Sequence, residues 1–423
     1  MCTAIITPKK LSGTITAPPS KSESHRAIIC AALADGNSEI QNVSLSNDVL
    51  ATINAIKVLG ARVTFVENKI IINGSPCFAT NFAKINCDES ATTLRFLMPL
   101  VASFGIKTTF IRKASLLKRP LTPYYSCLTK QGVSLSSSET LPLEVSGKLQ
   151  PGKFALPGNI SSQFISGLLF SLPILKHDSE IVLTSPLESS GYVDLTIDIL
   201  SKFGITINKI NSGFFIPGRQ TYKPTNYNVT GDWSSASFFA VAGAIGGEVS
   251  IDGLSLDSQQ SDKAILKILE KFKVKHAFND NCLTVFPSSF SGADIFSAQI
   301  PDLIPPISIL SALSNGISKI WGASRLKFKE SNRLKAIYSC LENFGVDVQE
   351  TSDGLIITGT NKLSKCSLNS YGDHRIVMAM AIAATVADGK VKISDAQNIH
   401  KSYPDFFEDF IKLGGNVNVV SLG

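Results

Sequence analysis

Apolar residues at helical spacing, then a turn residue, then a short β-branched run: this order occurs six times along the chain. The segments are INAIKVLGARV, YYSCLTKQGVSL, IDILSKFGITI, LKILEKFKVKH, YSCLENFGVDV and FEDFIKLGGNV. Their turn positions are Gly60, Gly132, Gly204, Lys273, Gly345 and Gly414, at steps of 72, 72, 69, 72 and 69 residues. Each reads as an amphipathic helix ending in a left-handed C-cap and followed by a strand. Lys273 breaks the glycine pattern once. Further strand signals flank the helices, among them KIIING, GLIITG and KVKIS. A period of about 70 residues is longer than that of solenoid repeats and has room for a small α/β unit of two helices and three or four strands. Chance recurrence of a common pattern is the competing explanation, and the regular spacing argues against it. Six units group as three plus three, with the middle boundary near the turn-rich stretch from Thr221 to Ser235. The first strand-like stretch is LSGTITAPP, from Leu11.

Composition narrows the class. A chain of 423 residues, 44% hydrophobic and 17% charged, suits a soluble globular protein with at least two cores. The net charge of +6 is a modest excess that suits acidic small molecules. Without a run of five basic residues, nucleic acid is not an expected partner. The eight cysteines lack CxxC or Cys/His clustering. They read as reduced thiols of a cytoplasmic protein rather than a disulfide framework or a zinc site. The longest apolar runs, such as VMAMAIAATVA, are too short to span a bilayer, and no signal or transit pattern appears. No membrane partner is expected.

Candidate chemistry gathers at helix starts. In PPSKSESHRAIICAALADG, two prolines stop a strand. Ser20, Lys21, Ser22, Ser24, His25 and Arg26 then crowd the start of an apolar helix. Hydroxyls, two cations and a helix N-terminus make a phosphate cradle, with an ordinary serine cap as the alternative. Arg119 precedes Pro120 and is therefore expected in an extended conformation. Ser161, Ser162 and Gln163 place three hydrogen-bonding groups at another helix start, where a cap needs one. Ser189 and Tyr192 lie ahead of a further helix, where capping is the simpler reading. Asp302 precedes an apolar helix with Pro305 and Pro306 in its first turn, and reads as an N-cap or a general base. Arg325, Lys327, Lys329, Glu330 and Arg333 cluster in RLKFKESNRLKAI. Lys329 and Arg333 are expected four apart on one helix face, repelling each other unless an anion lies between them. Asp373, His374 and Arg375 open a helix apolar enough to be buried, and Lys401 precedes Tyr403-Pro404-Asp405. In CDESATTLRFL, a hydroxyl-rich helix start offers an anion site, yet Asp88 and Glu89 add two carboxylates to it. They either cap the helix or lie beside an anion site. There is no GxGxxG, P-loop or GxSxG, and no metal-ligand spacing among the five histidines. The residues alone point to a two-domain enzyme or binder acting on phosphorylated or carboxylated small molecules.

The motifs PPSKSESHRA, KRPLTP, GNISSQFISGLLF, IPDLIPP, KESNRL, YGDHRIVMAMA and KSYPDFF occur in order over most of the chain. Together they resemble the 5-enolpyruvylshikimate-3-phosphate synthases, a family of enolpyruvyl transferases. The resemblance implies an α/β fold of two similar domains, each of three βαβαββ units, the inside-out α/β barrel of these transferases. Domain one would be residues 1-19 plus 232-423 and domain two 20-231, with the active site in the cleft between them. The implied reaction transfers enolpyruvyl from phosphoenolpyruvate to the 5-hydroxyl of shikimate-3-phosphate and releases phosphate, in the shikimate pathway to chorismate and aromatic amino acids. No metal or organic cofactor is implied, and a monomer is expected.

Carried over by motif, shikimate-3-phosphate would be held by Lys21, Ser22, Arg26, Ser161, Ser162, Gln163, Ser189 and Lys329. Tyr192 and Asp302 would lie against it. Phosphoenolpyruvate would meet Lys21, Ala91, Thr92, Arg119, Gln163, Arg333, Arg375 and Lys401. Asp302 would take the hydroxyl proton, and Glu330 with Lys21 would supply one to the methylene carbon. The family usually has Asn where this chain has Arg325, near the shikimate phosphate. In the anion loop Glu89 replaces Asn and Ala91 replaces Gly. Glu89 is expected to turn away from the ligand or pair with a cation. The Ala91 methyl is expected to weaken inhibition by glyphosate, which occupies the phosphoenolpyruvate site and is longer. The rival readings are a UDP-N-acetylglucosamine enolpyruvyl transferase and a non-catalytic polyanion binder. The first usually carries a cysteine on the loop that here reads IRKASLLKRP; the second gains little from acids at 302 and 330.

Overall fold

A computed structural model describes residues 2–78, 80–137 and 140–421. In chain order the α-helices among them are α1 (Lys21–Leu33), α2 (Asn47–Val58), α3 (Ala91–Phe104), α4 (Thr122–Leu128), α5 (Ser162–Ser171) and α6 (Ser190–Lys202). They continue with α7 (Trp233–Ile245), α8 (Ile265–Lys271), α9 (Ile304–Ala312), α10 (Arg333–Asn343), α11 (His374–Ala384) and α12 (Phe406–Lys412). They alternate in kind. The odd-numbered helices are buried almost all round. Sequences such as SILSAL and VMAMAIAA have no polar stripe to offer water, so they are enclosed. The even-numbered helices keep an exposed face.

The strands form six four-stranded sheets of one design. In one of them, Phe82–Asn86 runs parallel to Lys107–Ile111, which pairs antiparallel with Leu143–Gly147, which pairs antiparallel with Val133–Leu135. α3 makes the parallel crossover and α4 leads into the hairpin. The same arrangement of strands recurs in every sheet, and three of the six follow βαβαββ along the chain without interruption, the order that the family resemblance implies. The six turn positions all adopt positive φ: 111° at Gly60, 84° at Gly132, 80° at Gly204, 61° at Lys273, 84° at Gly345 and 89° at Gly414. The left-handed conformation therefore belongs to the repeat, and Lys273 adopts it without the freedom of glycine.

Three sheets complete themselves with a strand from far along the chain. Gly13–Thr16 lies parallel to Val249–Asp252, and Asn226–Asn228 parallel to Gly36–Gln41. Cys2–Thr7 inserts between Val391–Ile393 and Asn416–Ser421. It precedes Leu11, where the sequence reading begins its first strand. Only Ala4 and Ile6 of it are fully buried, too few for a strand signal, and its partners lie at the other end of the chain.

The chain separates into two compact units, Met1–Pro18 with Thr230–Gly423 and Pro19–Val229. Each has its own hydrophobic core. In the first, α7, α9 and α11 pack on one another; in the second, α3 packs on α5 and α1 shares the same core. Among the described residues no helix is long and apolar enough to cross a membrane.

Candidate active site

The candidate residues collect at the N-termini of the buried helices. Side-chain caps are supplied by Ser20 to α1, Ser90 to α3, Ser161 to α5, Asp232 to α7 and Asp373 to α11. Each cap satisfies one N–H and leaves the remaining first-turn N–H groups at an electropositive helix end.

In the unit formed by Pro19–Val229, Lys21 is the first residue of α1, and its Nζ lies 2.9 Å from Asp48 Oδ2. Arg26 is buried and donates to three protein groups. Its Nε donates to Thr196 Oγ1 at 2.8 Å, its Nη1 to the Ser22 carbonyl at 2.7 Å and its Nη2 to the Tyr192 carbonyl at 3.1 Å. The guanidinium also lies 5.1 Å from the centre of the Phe96 ring. Burial pulls its pKa down to about 10. The two cations of the SKSxSxR motif thus differ, Arg26 bracing α1 against α6 and Lys21 pairing with a carboxylate of α2.

At the start of α3 neither acid of CDESATTLRFL caps the helix. Ser90, not Asp88 or Glu89, caps the helix by accepting from the Thr93 N–H at 3.2 Å. Asp88 turns away at φ 49° and pairs with Lys113 at 3.0 Å; Glu89 accepts from Ser115 Oγ at 3.2 Å. Ala91 is the first helical residue and Thr92 is half-buried. Gln163 Nε2 donates to Thr92 Oγ1 at 2.9 Å, while Gln163 Oε1 accepts from Arg95 Nη1 at 2.8 Å. Arg95 also reaches the Pro120 carbonyl at 3.0 Å, beside Arg119. It lies 4.6 Å from the Phe164 ring centre.

Close packing of α3 on α5 supports this arrangement. Pro99 inside α3 has no N–H for the Arg95 carbonyl, and Tyr124 Oη takes that carbonyl instead at 2.6 Å. Gly167 of α5 makes room: a Cβ there would meet Tyr124 Oη at 2.2 Å and Arg95 O at 2.4 Å.

Arg119 has φ −80° and ψ 134°, the extended conformation expected before proline. Ser161 accepts from the Gln163 N–H at 3.4 Å, and Ser162 is buried. Ser189 does not act as a side-chain cap; it sits at φ 53° and is buried. Tyr192 lies inside the first turn of α6 rather than ahead of the helix.

In the other unit Asp302 is the hub. It is not the N-cap of α9; Leu303 occupies that position, and the proline-rich start leaves Asp302 one residue earlier. Its Oδ1 lies 2.9 Å from Arg333 Nη1 and 3.3 Å from Lys329 Nζ, and its Oδ2 3.5 Å from Arg375 Nη2. Burial opposes its charge, but Arg375, Lys329 and Arg333 outweigh burial and hold the carboxyl well below its usual range. Lys329 and Arg333 do not share a helix face. Lys329 ends a 3-10 turn in extended conformation, and α10 begins only at Arg333 behind its cap Asn332. The two cations nevertheless meet, because Asp302 is the anion between them. Burial is the first influence on Lys329 and lowers its pKa to about 8, with Asp302 opposing.

Arg333 is fully buried. Its Nη2 lies 2.6 Å from Glu330 Oε2 and its Nε 2.9 Å from Asp373 Oδ2. Burial favours its neutral form, yet Asp373, Glu330 and Asp302 raise its pKa. Arg375 Nη1 donates to Ser234 Oγ at 2.6 Å and to the Asp302 carbonyl at 3.2 Å, tying together the starts of α7, α9 and α11. Arg325 donates to the Ala298 carbonyl at 2.7 Å, and Lys401 is buried at the end of a 3-10 stretch.

Sequence reasoning missed Asp48, Arg95 and Ser234. An arginine flanked by Leu94 and Phe96 in an apolar helix was the available signal for Arg95. Asp48 and Ser234 look like ordinary helix-start residues and gave none. Among the described residues no group of three or more His, Cys, Asp or Glu is arranged to hold a metal.

Comparison with known proteins identifies the family. The family model for EPSP synthase (3-phosphoshikimate 1-carboxyvinyltransferase) matches residues 5–410. The 3-phosphoshikimate 1-carboxyvinyltransferase of Clostridium perfringens (strain ATCC 13124) is 45% identical over 97% of this chain and 98% of its own length. That of Clostridium kluyveri is 42% identical over 99% of both chains. In fold, the chain is similar to EPSP synthase from Acinetobacter baumannii, at TM-score 0.82, 23% identity and full coverage of both chains. It is also similar to the enolpyruvyl transferase NikO from Streptomyces tendae, at TM-score 0.81 and 15% identity over 100% of this chain and 99% of that one. On the near full-length match, the chain belongs to the EPSP synthase (3-phosphoshikimate 1-carboxyvinyltransferase) family.

Proposed function

We infer that the chain transfers the enolpyruvyl group of phosphoenolpyruvate to the 5-hydroxyl of shikimate-3-phosphate, releasing phosphate through a tetrahedral intermediate. The observation that carries this reading is Asp302, a carboxylate enclosed by Arg375, Lys329 and Arg333 in a chain of this family. Asp302 takes the hydroxyl proton as the oxygen attacks C2. In the empty protein its low pKa makes it a weak base. Substrate anions that draw on Lys329, Arg333 and Arg375 remove part of that stabilisation and raise its basicity toward a useful range. Glu330 and Lys21 deliver the proton to the methylene carbon. Elimination of phosphate then reverses both proton movements. Glu330 is held in place by its pairing with Arg333 at 2.6 Å.

Ser22, Arg26, Ser161, Ser162, Gln163, Ser189, Tyr192, Arg325 and Lys329 serve the phosphorylated acceptor. Ala91, Thr92, Arg119, Gln163, Arg333, Arg375 and Lys401, with Lys21, serve phosphoenolpyruvate. Bidentate arginines and mobile lysines suit two substrates that each carry several negative charges. The test is a phosphate-release assay with shikimate-3-phosphate and a UDP-sugar acceptor side by side. Release only with shikimate-3-phosphate and phosphoenolpyruvate together is expected; release with the UDP-sugar overturns the reading. At Ala91 the methyl narrows the helix start toward the longer inhibitor. Ala91→Gly is expected to tighten glyphosate inhibition while leaving the KM for phosphoenolpyruvate within about threefold. An unchanged inhibition curve refutes that assignment.

A further inference from the structure

We propose that Asp48 is the positioning residue of Lys21: its carboxylate holds the ammonium group in one place at the start of α1, ready for the anion that the proposed function brings there. The inference rests on that functional reading for the identity of the anion, but the ion pair is a property of this chain alone. No motif of the sequence points to Asp48.

Three observations support it. First, Lys21 stands at the first position of α1, where a cation opposes the helix dipole. Asp48 stands in the first turn of α2, where a carboxylate is favoured. The pair, at 2.9 Å, therefore sets a well-placed anion against a badly placed cation. Second, both side chains are largely shielded, at 16% exposure for Lys21 and 8% for Asp48, so the contact is not a solvated surface pair. Lysine has a flexible four-carbon stem, and fixing it before the substrate arrives lowers the ordering cost of each binding event.

Third, Asp48 is itself braced. Its carbonyl accepts from Thr93 Oγ1 at 3.4 Å. Thr93 Oγ1 also donates to Ser90 Oγ at 2.8 Å and lies 2.7 Å from Thr52 Oγ1, which in turn lies 2.7 Å from His25 Nδ1. Hydroxyls of α2 and α3 and a ring of α1 thus cross-link the three helix starts around Asp48. Burial pushes the His25 pKa down to about 3, so this ring adds no positive charge beside the Lys21–Asp48 pair. Of the other charged groups near α1, Glu23 accepts from Tyr227 Oη, Arg26 is bound to Thr196, and Glu39 pairs with Lys69. A carboxylate mounted this firmly fixes the direction of the lysine it holds.

The test uses the full chain and the substitution Asp48→Asn, which keeps shape and removes charge. The expected result is a fall of about tenfold or more in kcat/KM for phosphoenolpyruvate, with KM for shikimate-3-phosphate within about twofold. Parallel rises in both KM values would indicate general disruption and overturn the proposal. A double-mutant cycle with Lys21→Met then asks whether Asp48 acts through Lys21. It is read as the dissociation constant for inorganic phosphate, which needs no turnover. Asp48→Asn is expected to weaken phosphate binding in the wild type and to change nothing further in the Lys21→Met background. Additive effects, or no effect in either background, overturn the proposal. Should Asp48→Asn fail to fold, Asp48→Glu keeps the charge but displaces it by a methylene, and is held to the same two criteria. A wild type that releases no phosphate from the substrate pair would refute the functional reading and leave the cycle to judge the Lys21–Asp48 pair.

Discussion

Asp302 and Lys329 are set against each other, and their pairing makes a pH dependence legible. On the proposed function Lys329 serves the phosphorylated acceptor as a cation, and its pKa is drawn down from 10.5 to about 8 by burial. It carries its proton at pH 7 and loses it as pH rises through about 8. Activity attributable to it is therefore present below that value and lost above it. kcat/KM for shikimate-3-phosphate is expected to decline above about pH 8. Lys329→Arg, which stays charged, is expected to lower the plateau but move that decline to higher pH. A limb that stays in place assigns the titration to another group. In the free protein Asp302 is held ionised by Arg375, Lys329 and Arg333 and so contributes no limb near neutrality to kcat/KM. Asp302→Asn is expected to cut kcat by about a hundredfold or more while calorimetry still detects both substrates. Normal turnover removes Asp302 from the mechanism.

The repeat explains which elements could be read from the sequence. Its six turns were visible because a left-handed C-cap after an amphipathic helix has a local signature, and five of the six positions are glycine. The helix starts were visible for the same reason, being runs of Ser, Lys, Arg and Gln ahead of apolar stretches. What escaped depends on contacts distant in sequence. Lys329 looks like a helical neighbour of Arg333, yet it lies outside the helix, which begins only at Arg333; the position of Asp302 explains why they meet. Arg95 serves Gln163 across 68 positions and Asp48 serves Lys21 across 27, so neither pairing leaves a local pattern. Lys273 permits a test of the repeat itself. A non-glycine residue in the left-handed region costs about 1–2 kcal/mol. Glycine would return about 0.5–1 kcal/mol of that as unfolded-chain entropy. Lys273→Gly is thus expected to stabilise the protein by roughly 0.5–1 kcal/mol, seen as a higher urea midpoint. A lower midpoint would mean that the lysine side chain contributes more than its backbone strain costs.

At the scale of the whole molecule, the repeat is complete only because strands are exchanged along the chain. The sheet that contains Ser367–Leu368, Val391–Ile393 and Asn416–Ser421 has no fourth strand of its own from that region; Cys2–Thr7 supplies it. The strand buries little apolar surface, with only Ala4 and Ile6 fully covered. Its importance is in the ladder, since it pairs on both sides, from Cys2 opposite Ser421 to Thr7 opposite Asn416 on one of them. Without it Val391–Ile393 would become an edge and Asn416–Ser421, already at the edge, would lose its sheet partner, leaving unpaired N–H and C=O groups above an opened core. A chain lacking residues 2–7 is therefore expected to lose several kcal/mol of stability, on the order of one for each ladder bond lost. The loss should fall on one unit. Pro19–Val229 has a separate core and takes its distant strand, Asn226–Asn228, from within itself. Hydrogen exchange followed peptide by peptide is the measurement. Protection should collapse first in Val391–Ile393, Asn416–Ser421 and α11, while α1, α3 and α5 keep theirs. Because Asp373 and Arg375 sit at the start of α11, activity should fall with it. Uniform loss of protection across both units would show that their stabilities are coupled, and full retention would show that the strand is dispensable to the sheet.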